Sequence, residues 1–157
     1  DYKGKDRFDK TILALLVEIG ECANEWRGFK YWSKNQEPRT NEVRHKKDNG
    51  KYFFVGFYNQ ILEEYVEGLH FVLQIGIELG YEDVKPYSLA KSDTLKVFQM
   101  IYMATIQVSV YRERASYEVL ISEYISLGRH LGFTETEIFN AYVAKNEVNH
   151  VRQDTGY

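Results

Sequence analysis

Four glutamates stand in two pairs whose spacing suits metal chemistry. Glu18 and Glu21 follow the run ILALLV, and Glu64 and Glu67 lie within ILEEYVEGLHF. The partners of each pair are three residues apart, so on a helix both carboxylates share one face. Four carboxylates converging between apolar helices would repel one another unless a cation joined them. All-oxygen ligand sets suit hard cations such as Mg²⁺ or Mn²⁺. Mg²⁺ in particular is held by a few carboxylates together with water and substrate phosphates. The leading reading is therefore a divalent-metal site serving phosphate chemistry. The plain alternative is two solvated strips on surface helices.

The width of the strips argues for the metal. On a wheel of about 100° per residue, Glu21 and Glu25 fall beside Glu18. Ile12, Leu13, Leu16, Val17, Ile19, Ala23 and Trp26 take nearly every other direction. Around the second pair, Gln60, Glu63, Glu64, Glu67, His70 and Gln74 form one strip. Large apolar residues such as Ile61, Tyr65, Leu69 and Val72 cover the rest. An ordinary surface helix shows a broad polar arc; each of these shows a slot.

A complementary set of donors closes the chain. In AYVAKNEVNHVRQDTGY, the residues Tyr142, Lys145, Asn146, Asn149, Arg152 and Gln153 recur at spacings of three and four. Two cations and several amides on one helix face can hold phosphate oxygens and read a base or sugar. Alone, such a face reads as solvated. Beside two acidic strips it completes a nucleotide site.

Helices must position these groups. Apolar spacing predicts five of them, at about 9–26, 57–79, 92–112, 116–131 and 134–150. Asp9 is a possible N-cap of the first, Gly28 its breaker, and Gly80 ends the second. Ser92 or Asp93 caps the third, and Thr134 with Glu137 forms a capping box for the fifth. No stretch alternates as a strand should. Residues 33–51, polar and holding Pro38 and Asn49-Gly50, read as a long loop. The third helix is apolar on several sides, which favours a subunit interface over a helix central to one subunit. The expectation is one all-α domain over residues 1–157, a bundle of about five helices that forms an intimate homodimer.

Composition sets the limits. A hydrophobic content of 44% and an aromatic content of 15% argue against disorder outside loops. The net charge of −3 is too near neutral for electrostatic binding to nucleic acid or an anionic membrane. The longest apolar run, 12–17, is far short of the roughly 20 residues of a membrane span. The mixed charges of DYKGKDRFDK do not form a signal peptide. One cysteine, Cys22, excludes an intrachain disulfide and reads as a small packing residue. The expected location is cytoplasmic.

Taken together, VEIGECANEWRGFKYWS, EEYVEGLHF and YVAKNEVNHVRQDTGY resemble the dimeric all-α dUTP diphosphatases. These belong to the wider all-α nucleoside-triphosphate pyrophosphatase superfamily that includes the MazG proteins. The likeness covers nearly the whole chain in the family's order. It implies hydrolysis of dUTP, with dUDP as a further substrate, to dUMP, which keeps uracil out of DNA. It implies Mg²⁺ at Glu18, Glu21, Glu64 and Glu67, with Mn²⁺ as a substitute. Glu18 or Glu21 would act as the catalytic base. Lys30 and Trp32 would line the nucleotide pocket, Trp32 near the base, with Asn24 as a further contact. His70 would sit by the deoxyribose, and Lys145, Asn146, Asn149, Arg152 and Gln153 would hold phosphates or nucleoside. Trp26 is expected in the core.

Two departures stand out. Such proteins usually carry Asp where this chain has Glu67, which moves the charge by a methylene. They also carry an N-terminal helix that gives a Gln to uracil, and none precedes Asp1, so the domain is expected to lack it. The 33–51 loop is expected to vary within the family and to cover the site or meet a protein partner. The nearest rival is a broader dNTP or dCTP pyrophosphatase. More distant ones are a nucleotide-binding regulatory protein and a di-iron bundle using Glu67-x-x-His70 and Glu147-x-x-His150.

Overall fold

The computed structural model describes residues 7–89 and 93–155, with side chains through 148. Five helices carry the fold: α1 (Phe8–Trp26), α2 (Gln60–Leu79), α3 (Thr94–Tyr111), α4 (Arg114–His130) and α5 (Glu135–Thr155). A hairpin of β1 (Glu42–Asp48) and β2 (Lys51–Tyr58) stands between α1 and α2. α1 packs on α2, α2 on α4, α4 on α3, and α3 back on α1, closing a four-helix ring. α5 lies against α2 outside that ring. The expected all-α bundle is the observed fold, with one small two-stranded sheet added.

Local chemistry explains most helix ends. Asn59 caps α2, its side chain accepting from the Leu62 amide at 3.1 Å. Asp93 caps α3 by accepting from the Lys96 amide at 2.8 Å; Ser92, the other choice, lies outside the described residues. The capping box of α5 is reciprocal. Glu137 N–H donates to the Thr134 hydroxyl at 3.2 Å, and the Thr134 N–H donates to the Glu137 carboxylate at 2.8 Å. Two expectations for α1 need correction. Asp9 lies inside its first turn, with Arg7 at the cap position and no side-chain cap bond. Its stop is Arg27, left-handed at φ 66°, rather than Gly28.

The larger correction is the hairpin. A loop over 33–51 and a helix starting at about 57 were expected here; residues 42–58 form an antiparallel ribbon instead. Its turn is Asn49-Gly50, with φ of 46° and 78°, the paired positive values of a tight two-residue hairpin turn. Alternation in sequence arises when one sheet face is buried and the other wet. Most of this ribbon's side chains are exposed on both faces, so nothing forced its sequence to alternate.

The core fills the ring with Leu15, Ile19, Ile61, Val72, Ile101, Leu120 and Leu127, all inaccessible or nearly so. Cys22 is buried there, and Trp26 packs on Phe98 with ring centroids 5.4 Å apart. At the α2–α4 seam, tyrosines of each helix sit over glycines of the other. A Cβ on Gly68 would lie 2.0 Å from the Tyr124 hydroxyl, and one on Gly128 would lie 2.7 Å from that of Tyr65. The close approach lets each hydroxyl donate to the other residue's carbonyl, Tyr124 to Tyr65 at 2.9 Å and Tyr65 to Tyr124 at 3.3 Å. Their rings stack at 5.1 Å. This fixes the rotation of α2, and with it the direction of Glu64 and Glu67.

α3 is not central to the subunit. Val97, Ile101, Ala104 and Val108 face the ring, whereas Met103, Ile106, Val110 and Tyr111 are exposed.

Candidate active site

The carboxylates come from the seam between α1 and α2. Glu18, Glu21 and Glu64 each offer an oxygen within 4.8 Å of the other two. They meet because each pair's helical spacing aims it at the opposite helix. Glu18 and Glu64 are half-buried, and Glu21 is exposed. One oxygen of Glu18 is buried and has no hydrogen-bond partner among the described residues. Burial first, then the nearby charges of Glu67 and Glu21, push the Glu18 carboxyl up to about 7, with Lys145 partly offsetting. Glu64 is likewise raised to about 7 by burial, then by Glu67, Glu21, Glu18 and Glu25.

These residues fit a hard divalent cation. A buried acceptor without a donor and a cluster of crowded carboxylates both become favourable when a cation supplies the missing charge. Glu67 stands apart from the group of three. It pairs with Lys145 from α5, although its charge is felt by both Glu18 and Glu64. Glu25, next along the α1 strip, is neutralised by Arg39 at 3.1 Å. Sequence reasoning missed Arg39, which sits in irregular chain and has no periodic signal.

His70 lies one turn beyond Glu67. Its Nδ1 is 2.8 Å from the Val66 carbonyl, which can only accept, so Nδ1 carries a proton. Nε2 is buried and has no partner among the described residues. In the neutral ring that atom is an acceptor. The imidazole stacks flat on Tyr142 at 4.0 Å and 9°, so the donor stripe of α5 does lie along the acidic strip of α2. Tyr142 also lines an apolar cavity of about 480 Å³ with Leu73, Ile125, Phe133 and Phe139. Among the described residues Arg129 is the only cation on its wall, and Glu135 also lines it, so this cavity is not built for a polyphosphate.

The segment after α1 is knitted to itself. Arg27 donates to the Asn35 carbonyl at 2.8 Å, and Gln36 to that of Lys30 at 3.1 Å. Trp32 is 65% exposed, edge-on to Phe29 and Tyr31. An indole held by neighbours yet open to solvent is a stacking surface. Lys30 is half-buried beside Phe29. Asn24 is exposed one turn after Glu21, and Asn146 is half-buried beside Lys145. Positions 149, 152 and 153 fall on α5, but the side chains of Asn149, Arg152 and Gln153 lie outside the described residues, as does His150. Among the described residues, the group of metal-ligating side chains includes neither Glu67 nor His70.

A family model described as dUTPase matches the chain over residues 1–57 and 55–157. The two segments meet within β2. No curated protein and no solved structure matches the chain significantly. Enzymes of this kind use a divalent metal ion, in accord with the carboxylate group on α1 and α2. The matched segments together span the chain from end to end, and it belongs to the dUTPase family, as a hydrolase with dUTP diphosphatase activity.

Proposed function

We propose that the chain hydrolyses dUTP to dUMP and pyrophosphate at the α1–α2 seam, with Mg²⁺ as its metal and dUDP as a further substrate. The carrying observation is the group of Glu18, Glu21 and Glu64, with oxygens within 4.8 Å of one another and two carboxyls raised toward neutrality. Glu67 completes the ligand set. When bound, Mg²⁺ supplies positive charge to the phosphates and orients them for attack.

The side chains divide the remaining work. Glu18 or Glu21 takes the proton from the attacking water as its oxygen bonds to phosphorus. The bond to the leaving phosphate oxygen breaks, and its charge passes to Lys145 and Arg152. Asn146, Asn149 and Gln153 add donors from the same helix. His70 Nε2 accepts from a hydroxyl of the deoxyribose, because Nδ1 is committed to Val66. Trp32 stacks on uracil, with Lys30 and Asn24 at the edge of the pocket. The exposed apolar face of α3, with Leu13 and Val17 of α1, is the surface on which two copies would pair.

The test is direct. Purified protein with Mg²⁺ and dUTP is expected to release dUMP and pyrophosphate, and chelator to stop it. Silence with every deoxynucleotide would sink the proposal. Equal rates on dCTP and dUTP would leave the chemistry and remove the uracil claim. Calorimetric dUTP binding without turnover would make the chain a nucleotide sensor instead.

A further inference from the structure

None of the residues given a role in that chemistry lies on the β1–β2 ribbon, which is built unlike the rest of the surface. Residues 42–58 carry Arg44, Lys46, Lys47 and Lys51 against Glu42 and Asp48. The ribbon is thus +2 in a chain of −3, which leaves −5 on everything else. Tyr52, Phe53, Phe54 and Phe57 are each more than half exposed. A register shift beside Arg44 and His45 brings Phe54 and Phe57 to the same face, edge to face at 5.4 Å. His45 lies against Phe54, and Lys47 over Tyr52 on the same side. One face is therefore a row of rings with Lys47 among them, while Lys46 and Lys51 share the opposite face with Phe53. At the base, Arg44 stacks on Tyr58 and pairs with Glu63 of α2, which holds the arm beside Glu64.

We infer that this ribbon is a binding arm for single-stranded nucleic acid. Unstacked bases have two free π faces, and exposed rings accept them whatever the sequence. Lys47 beside the rings, with Lys46 and Lys51 across the thin ribbon, meets the phosphates and releases counterions. In a duplex the bases already stack on each other, and the row of rings would find no partner. A lipid surface fits less well, because the tip of the hairpin is Asp48-Asn49-Gly50-Lys51 and the rings lie along a face, away from that tip. The overall charge, which argues against nucleic acid, averages a basic arm with an acidic body and hides both. The arm would hold a dUTP-clearing site beside a growing or exposed strand.

The experiment is fluorescence anisotropy with a labelled 15-nucleotide oligo-dT and the full chain in Mg²⁺ buffer. The expected result is binding that weakens steeply between about 50 and 200 mM salt, with a blunt duplex of equal length competing poorly. Y52A/F54A should weaken binding by at least about 5-fold, the low end for loss of one stacked base. K46E/K47E should weaken it and flatten the salt dependence. Both variants should turn over dUTP as the parent does, which excludes misfolding. Absence of binding at low salt overturns the inference, as does binding that Y52A/F54A leaves intact. It is also overturned if the variants instead abolish self-association or attachment to anionic vesicles while oligo-dT is ignored.

Discussion

Two seams share α2 and are finished in opposite ways. Against α4, the buried hydroxyls of Tyr65 and Tyr124 each find a carbonyl across the seam. Against α1, a buried oxygen of Glu18 has no partner among the described residues, and three carboxylates crowd together. Buried polar groups are normally satisfied, so the difference separates scaffold from site. The α4 side spends its contacts on fixing α2. The α1 side leaves its charges open for something to arrive.

The largest effect should come from the open seam. E64Q or E21Q removes a ligand oxygen's charge and is expected to lower dUTP turnover by more than the roughly 10–100-fold typical of a metal's outer-shell partners. Steady-state kinetics with Mg²⁺ titration checks this. A loss recovered fully by excess metal would show that the carboxylate only tunes affinity. E18Q should also lose turnover yet melt higher than the parent when metal-free, because it removes a destabilising buried charge.

The closed seam should respond the other way, in stability and not in chemistry. G68A places a methyl against the Tyr124 hydroxyl, at the end of a rigid ring, and is expected to cost about 3 kcal/mol. For a chain of this size that is a fall of roughly 6–12 °C in Tm. Y124F loses one hydrogen bond and should cost about 1 kcal/mol. If G68A melts like the parent, α2 and α4 are not held by this contact.

The smallest effect is one of pH. In metal-free protein the Glu18 and Glu64 carboxyls sit at about 7, above their ordinary 4.5. The folded state therefore holds their protons more tightly than the unfolded chain does. Their contribution to stability is present in full below about 4.5 and is lost as pH rises through 7. Melting of chelated protein should fall between pH 5 and 8, modestly because both groups are half-exposed and screened by solvent. Divalent metal should restore it at the upper end. A flat profile in the chelated parent would argue that these carboxyls are not held near neutrality.

Periodicity made the scaffold legible. Glu18, Glu21 and Glu64 meet as their spacing demands, and Lys145 and Tyr142 reach α2 as the last helix's stripe implies. What the sequence hid has a physical cause in each case. Arg39 neutralises Glu25 from irregular chain, and no repeat marks such a partner. The ribbon escaped because its signal was read from alternation, which needs a buried face, whereas Asn49-Gly50 carried the turn on its own. Glu67, grouped by spacing with the other three, also pairs with Lys145, a contact across 78 residues that no local pattern contains.

The tyrosine–glycine seam also limits how this chain can drift. A larger residue at position 68 is blocked while Tyr124 stays, and one at 128 while Tyr65 stays. Shrinking either ring first would strand a carbonyl and open a hole. Neither position can therefore change freely alone, and substitutions should travel in pairs. Among relatives, 68 with 124 and 128 with 65 would behave as two letters of one word, spelled together or not at all.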